Sequence, residues 1–285
     1  MTQARPVIFG EVLFDCFPNG QEVLGGAPFN VAWHLQSFSC APLMISSVGS
    51  DSHGGAVCAT MREKGMDISG IQVSDHYPTG RVMVTLRDGQ PGYDIVTGQA
   101  YDHIDAQAAL NALPEHTPAL VYHGSLALRA KSSAEALDAI LQKTNAPVFL
   151  DLNLREPWWE ISLLENILQR ATWVKLNDEE LCEVTRQTMT DGPGLKRYAK
   201  ALFENCQLDW LIVTRGAQGA FILNRDGILE GQPVPVKNIV DTVGAGDAFS
   251  AVSIAGILQG WPVMDVLDKA LKFAAEICQQ QGATA

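Results

Sequence analysis

The sequence predicts an α/β protein, a central mostly parallel sheet with helices on both faces and a small β excursion. Three observations carry that prediction. Short apolar runs recur along the chain and alternate with stretches of helical periodicity. These short apolar runs suit strands buried in a parallel sheet. One stretch, 80–96, holds two strand-like runs with no helix between them, which reads as an antiparallel hairpin.

Taken in order, residues 7–13 form the first strand candidate. In 28–38 the apolar residues Val31, Ala32, Leu35 and Phe38 recur at helical spacing. Residues 43–48 read as a strand and 56–64 as a helix. The hairpin follows, with 80–86 and 93–96 joined through Asp88, Gly89, Gln90, Pro91 and Gly92. The runs 119–123, 148–152, 173–176 and 211–214 suit buried strands. Helical segments lie among them at 132–143, 161–170, 179–186 and 195–204, and 246–258 and 263–280 close the chain. Repeated strand–helix units imply a parallel sheet covered on both faces. No repeat or linker interrupts the pattern, so 1–285 reads as a single domain, with inserted strands near 12–24 and 80–96. Such an insertion is a natural lid or dimer flap; an edge hairpin of the main sheet is the other reading.

Composition narrows the functional classes. Hydrophobic residues make up 47% of the 285 and charged residues 18%, enough for a substantial core. The net charge of −12 sets nucleic acid aside as a partner, because an acidic surface repels phosphates and the Lys and Arg residues are scattered. The six cysteines, at 16, 40, 58, 182, 206 and 278, form no C-x-x-C pair and no zinc spacing. They read as free thiols in a reducing cytoplasm. His123, inside an apolar run, reads as a hydrogen-bonded interior residue. No apolar run approaches the roughly 20 residues that span a bilayer, and the chain enters a strand-like stretch without a leader. The expectation is a cytoplasmic protein with no membrane partner.

The segment with the most chemistry is Asp241-Thr242-Val243-Gly244-Ala245-Gly246-Asp247. Gly244 and Gly246 remove Cβ atoms where backbone amides approach a ligand. An apolar helix follows at once, so its N-terminal amides make an anion site. Asp247 sits in that turn. Phosphoryl transfer needs both parts, dipoles for the transferring group and a base for the attacking hydroxyl. An acidic residue favoured by the helix dipole at a capped helix start is the alternative. The pattern is not a dinucleotide fingerprint, since Phe249 stands where a third glycine belongs, and no Walker A loop is present.

Weaker signals sit beside other strand ends. Gly25-Gly26-Ala27-Pro28-Phe29-Asn30 makes a close-approach loop before a helix, and Asn30 offers a donor and an acceptor to a polyol. Asp15 follows a strand, where a carboxylate can clamp two hydroxyls. Asp151-Leu152-Asn153-Leu154-Arg155, Asn177-x-x-Glu180 and Thr214-x-Gly216-x-x-Gly219 each lie just past a strand. Together they suit a nucleotide and a hard cation held by oxygen ligands. Each alone is a surface turn or a capped helix.

With these segments in family order over nearly the whole chain, the sequence resembles the ribokinase-like carbohydrate kinases of the phosphofructokinase-B type. The resemblance implies a ribokinase-like fold with a β lid, ATP and Mg²⁺ as cofactors, a sugar substrate, and in many relatives a homodimer formed through the lid. It implies that Asp247 is the base, that the amides of Ala245, Gly246 and Asp247 form the anion hole, and that Gly244 belongs to the same catalytic turn. Asp15, Gly25, Gly26 and Asn30 would hold the sugar. Asn177 and Glu180 would organise Mg²⁺ through water, and Thr214, Gly216 and Gly219 would line the triphosphate. Gly-Gly-Ala-Pro, the Asp-x-Asn-x-Arg run and Tyr93-Asp94-Ile95 look most like fructokinases. Arg155 could instead bind an acidic sugar, as in 2-keto-3-deoxygluconate kinases, or pair with Glu156 or Asp151. Two further readings are a binder without catalysis and a kinase for a nucleoside or vitamin-like alcohol. Phe29 departs from the small residue common in the family and would narrow a sugar pocket. The end of the sequence soon after Gly282-Ala283 leaves the adenine contacts and a K⁺ site open.

Overall fold

The structure, a computed structural model, describes residues 4–87, 90–188 and 191–284. Of the expected hairpin connection, Asp88 and Gly89 lie outside these residues. The chain forms two compact units, Met1–Val121 with Ala127–Ala146, and Tyr122–Leu126 with Pro147–Ala283.

The first unit runs β1 (Val7–Phe9), β2 (Leu13–Cys16), β3 (Glu22–Gly25), α1 (Ala27–Ser37), β4 (Leu43–Gly49), α2 (Ser52–Glu63), β5 (Ile71–Ser74), β6 (Gly80–Arg87), β7 (Gln90–Ile95) and α3 (Ala106–Ala112). After β8 (Val121–His123) the chain returns to it for α4 (Lys131–Thr144). β1, β4 and β5 pair in parallel, with Val7 opposite Leu43 and Ser46 opposite Ile71. A second sheet has the order β3-β2-β6-β7. Its β2–β6 pair is parallel and the outer pairs are antiparallel. The expected strand 7–13 is thus two strands in different sheets. The break falls at Gly10, whose φ of +145° suits glycine and whose Cβ would lie 2.5 Å from Pro28 Cγ. Val7, Ile8, Phe9, Phe29, Leu35 and Ile45 are wholly buried and form the core here. Each such side chain contributes roughly 2 kcal/mol through removal from water.

Polar anchors fix the roots of the small sheet. Asp51 caps α2 by accepting from the Gly54 amide at 2.8 Å, and it also accepts from the Thr79 hydroxyl at 2.7 Å and the Thr79 amide at 2.9 Å, just before β6. Burial opposes the Asp51 charge, but the Thr79 and Gly54 donors outweigh it and hold the carboxyl below its ordinary value. Arg129 grips Asp102 through two bonds of 2.8 and 2.9 Å and donates at 2.7 Å to the carbonyl of Val96, just after β7. His53 of α2 meets Glu22 of β3 at 2.9 Å.

The second unit continues with β9 (Val148–Asp151), α5 (Ile161–Gln169), β10 (Trp173–Asn177), α6 (Asp178–Thr185), α7 (Gly192–Cys206), β11 (Trp210–Thr214), β12 (Ala220–Asn224), β13 (Gly227–Gly231), α8 (Ala245–Gln259) and α9 (Val263–Ile277). β9, β10 and β11 are parallel neighbours, and β12 and β13 extend the sheet antiparallel. α8 is buried continuously over 248–256, which agrees with its apolar sequence on every face. It packs on α9, where Gly256 leaves room for Val266. His123 is buried, with Nδ1 2.9 Å from the Gly124 carbonyl. No helix among the described residues is long and apolar enough to cross a membrane.

Candidate functional site

In the first unit the structure brings Asp15, Gly25 and Asn30 together. A Cβ on Gly25 would lie 3.6 Å from Asp15 Oδ2 and 3.9 Å from Asn30 Oδ1. Asp15 is on β2, opposite Val23 of β3, and Asn30 is on the first turn of α1. Gly26 is the residue that allows this. It caps α1 at φ +105°, and a Cβ there would meet the Glu11 carbonyl oxygen at 2.8 Å. The result is a polar group at a helix start, with Pro28 pre-setting the helical φ. Phe29 is wholly buried and packs near Trp33, with ring centroids 6.0 Å apart. It belongs to the core, and it does not narrow a pocket as its bulk had suggested.

In the second unit α8 begins at Gly244, which caps it in the left-handed region at φ +83°. The amides of a helix's first turn have no acceptor within the helix, so this end attracts anions. Asp247 lies in that turn. Behind Gly244 stands the chain's C-terminal segment. A Cβ on Gly244 would lie 2.3 Å from Ala283 Cβ, and the amides of Val240 and Asp241 donate to the Cys278 carbonyl at 2.9 and 3.3 Å.

Lys175, which no sequence motif singled out, stands behind Gly246. Its Nζ is 3.1 Å from where a Gly246 Cβ would be. Lys175 is only 7% exposed and donates to both oxygens of Asp151, at 2.8 and 3.0 Å. The two residues are register partners on β10 and β9, so their side chains share a face of the sheet. Ser250, one helical turn into α8, donates to Asp151 Oδ2 at 2.7 Å. Burial works against the ammonium, but Asp151 outweighs it, with smaller help from Glu180 and Asp247, and the lysine sits above its ordinary value.

Asn177 and Glu180 form a capping box at the start of α6. Asn177 Oδ1 accepts from the Glu180 amide at 2.7 Å, and Glu180 Oε2 accepts from the Asn177 amide at 2.8 Å. Glu180 Oε1 accepts from the Leu154 amide at 2.8 Å. Burial pushes the Glu180 carboxyl above its ordinary value, and these amides and Lys175 offset it only in part. Each Glu180 oxygen already serves one amide. That donor set fits a cation reached through water better than one gripped directly. Among the described residues no cluster of three or more His, Cys, Asp or Glu side chains is arranged to hold a metal ion.

The run from Thr214 to Gly219 is a tight turn joining β11 to β12. Gly219 (φ +81°) has the Gly231 carbonyl oxygen 2.9 Å from its Cβ position, so its role is packing. Gly216 (φ +51°) faces open space, as a ligand-facing glycine would. Thr214 ends β11, with its hydroxyl 3.4 Å from the Leu176 carbonyl. Arg155 is exposed and makes no ion pair among the described residues. It makes no bridge to Asp151, which is buried and paired with Lys175. A surface cavity of about 530 Å³, lined by Arg5, Gln36, Asp67 and His116 among others, borders none of the candidate residues.

The fructokinase of Escherichia coli is 29% identical over 270 residues, spanning 90% of this chain and 84% of that protein. The fructokinase of Vibrio cholerae O395, in its fructose-, ADP- and calcium-bound crystal form, matches with a TM-score of 0.84 at 22% identity, over 100% of this chain and 96% of that one. The aminoimidazole riboside kinase of Salmonella enterica, complexed with aminoimidazole riboside and an ATP analogue, also gives 0.84, at 21% identity, over 99% and 95%. These place the chain in the ribokinase-like α/β fold, with its large, mostly parallel sheet. The sequence pattern of the pfkB family carbohydrate kinases matches residues 15–285. The chain belongs to the pfkB family of carbohydrate kinases, and it is a phosphotransferase.

Proposed function

We propose that the protein transfers the γ-phosphoryl group of ATP to a hydroxyl of a small free sugar, with fructose as the substrate. The observation that carries the reading is the start of α8, an anion-attracting helix end that holds the Asp247 carboxylate in its first turn. In the step, a sugar hydroxyl oxygen bonds to the γ-phosphorus, the bond to the β-bridging oxygen breaks, and ADP leaves. Asp247 takes the hydroxyl proton, and the first-turn amides stabilise the charge on the transferring group. Mg²⁺, when bound, neutralises charge on the phosphates. Glu180 and Asn177 orient its waters in this reading, and Thr214 and Gly216 line the triphosphate. Asp15, Gly25, Gly26 and Asn30 hold the sugar, and the β3-β2-β6-β7 sheet serves as the lid that keeps water out.

Fructose is preferred because the sugar group carries Ala27 and Pro28 and no lysine, so it lacks a cation for a phosphorylated substrate. The exposed Arg155, with no ion pair among the described residues, favours a second reading. In it the substrate is an acidic sugar of the 2-keto-3-deoxygluconate type, whose carboxylate that guanidinium would meet. ADP release measured over a panel of ketoses, aldoses, sugar acids and nucleosides separates the readings. Turnover with fructose above the rest supports the first, and turnover with sugar acids alone replaces it with the second. No turnover with any sugar overturns both. Asp247→Asn should lower kcat by roughly 10²- to 10⁴-fold while ATP still binds by calorimetry. Near-normal turnover in that variant removes Asp247 as the base.

A further inference from the structure

We infer that Lys175 is a positioning residue for phosphoryl transfer, a buried ammonium that, with Asp151, strengthens the positive end of α8 and fixes its first turn. The inference rests on the kinase reading above and concerns the same helix end. Its basis is the direction of the ion pair. Lys175 Nζ lies against Gly246 in the first turn, whereas Asp151 takes the Ser250 hydroxyl at 2.7 Å, four residues further along. Four residues are about 6 Å of helix. The pair therefore runs beside α8 with its positive end at the helix N-terminus and its negative end one turn in, parallel to the helix dipole, and the two fields add where a phosphoryl group would be stabilised. All three partners are buried, so little water screens them.

The side chains account for the positions they occupy. A side chain at 246 would lie 3.1 Å from Nζ and push the ammonium by a few tenths of an ångström. Asp151 receives three hydrogen bonds, two from Lys175 and one from Ser250. Lys175 has three N–H donors and gives two to Asp151. Neither Lys175 nor Asp151 is needed for a parallel sheet, and an apolar pair would fill the same space at lower desolvation cost. Their retention in a dry core beside the anion-binding turn is explained by the field they supply.

The test uses three variants of the full-length chain. Lys175→Met leaves Asp151 charged and buried, so it should melt lower and turn over slowly. Lys175→Met with Asp151→Asn removes both charges. Its melting temperature should return towards the parent while kcat stays roughly ten- to a hundredfold down, with the sugar KM within about threefold because that contact is elsewhere. Lys175→Arg keeps the charge and should recover part of kcat. A stable double variant with parental kcat overturns the inference, since the pair is then only a core contact. Equal rates for the Met and Arg variants also overturn it. Failure of the kinase reading is a separate result, visible as an unmodified protein that phosphorylates no sugar on the panel.

Discussion

Replacing Gly244 by alanine tests how firmly the start of α8 is held. Two costs can be worked from the structure. Gly244 has φ +83°, and a non-glycine residue in the left-handed region costs about 1–2 kcal/mol. The added Cβ would sit 2.3 Å from Ala283 Cβ and 2.7 Å from Ala283 Cα. The second of these neighbours is backbone, so no rotamer change relieves the overlap, and overpacking of this kind costs about 1–3 kcal/mol. Together the variant should lose about 2–5 kcal/mol, a fall in Tm of roughly 3–8 °C for a chain of this size. The strain is relieved only by shifting the turn that carries Asp247. Turnover should therefore fall by roughly a hundredfold, the typical cost of an ångström-scale misplacement of reacting groups. Thermal unfolding and steady-state kinetics measure both. Adding Ala283→Gly removes the clash between the two methyl groups but leaves the φ cost and the overlap with the backbone of residue 283, so it should recover about 1 kcal/mol. A Gly244→Ala protein with parental melting and turnover would refute the reasoning, as would strict additivity between the two substitutions.

Two further outcomes are expected. Asp15→Asn should raise the sugar KM by roughly tenfold to a hundredfold, the value of a charged hydrogen bond to a hydroxyl, and leave the ATP KM and melting temperature unchanged; an unaltered sugar KM removes Asp15 from the sugar group. If the β3-β2-β6-β7 sheet is a dimer flap, Met83, exposed by 43% on one of its faces, should lie where two copies pair. Sedimentation of the full chain at micromolar concentration should give a dimer that Met83→Lys dissociates, and a monomer for the unmodified chain refutes the pairing.

The elements legible in the sequence were those whose signal is local. The strands at 148–151 and 210–214 are almost wholly apolar runs, the strand at 173–177 is apolar apart from Lys175 and Asn177, and α8 is largely apolar on every face. What escaped had weak or distant causes. α3 buries only Ala109 and so shows little periodicity. β12 and β13 follow a glycine turn with no helix between them, and they fall outside the strand–helix alternation that located the rest. The split between β1 and β2 depends on Pro28 pressing on Gly10, a packing of residues far apart in sequence. Asn177-x-x-Glu180 was visible as a motif, but its hydrogen bonds are those of a capping box. Any service to a cation is added to a helix start that the box already stabilises. Lys175 left a readable trace. A lysine between Val174 and Leu176 in a buried strand is costly unless paired, and Asp151, the acid that ends the preceding strand, is its register partner.

The two glycines of the α8 turn illustrate how a motif can be right for a reason other than the first one assigned. From sequence, Gly244 and Gly246 read as places where a ligand needs room beside the backbone. In the structure the space beside each is taken by the protein itself, by Ala283 at Gly244 and by the Lys175 ammonium at Gly246. The backbone of the turn is thus packed from within. Pre-organised donors stabilise a transition state because they need not reorient when charge develops, and a turn pressed between the C-terminal segment and a buried ion pair has little freedom to reorient. The glycines also differ in kind. At 244 the neighbour includes backbone and cannot yield, so the constraint is on the fold. At 246 the neighbour is the end of a lysine side chain, 3.1 Å away and able to move by a few tenths of an ångström, so the constraint falls on where that charge sits and hence on the chemistry.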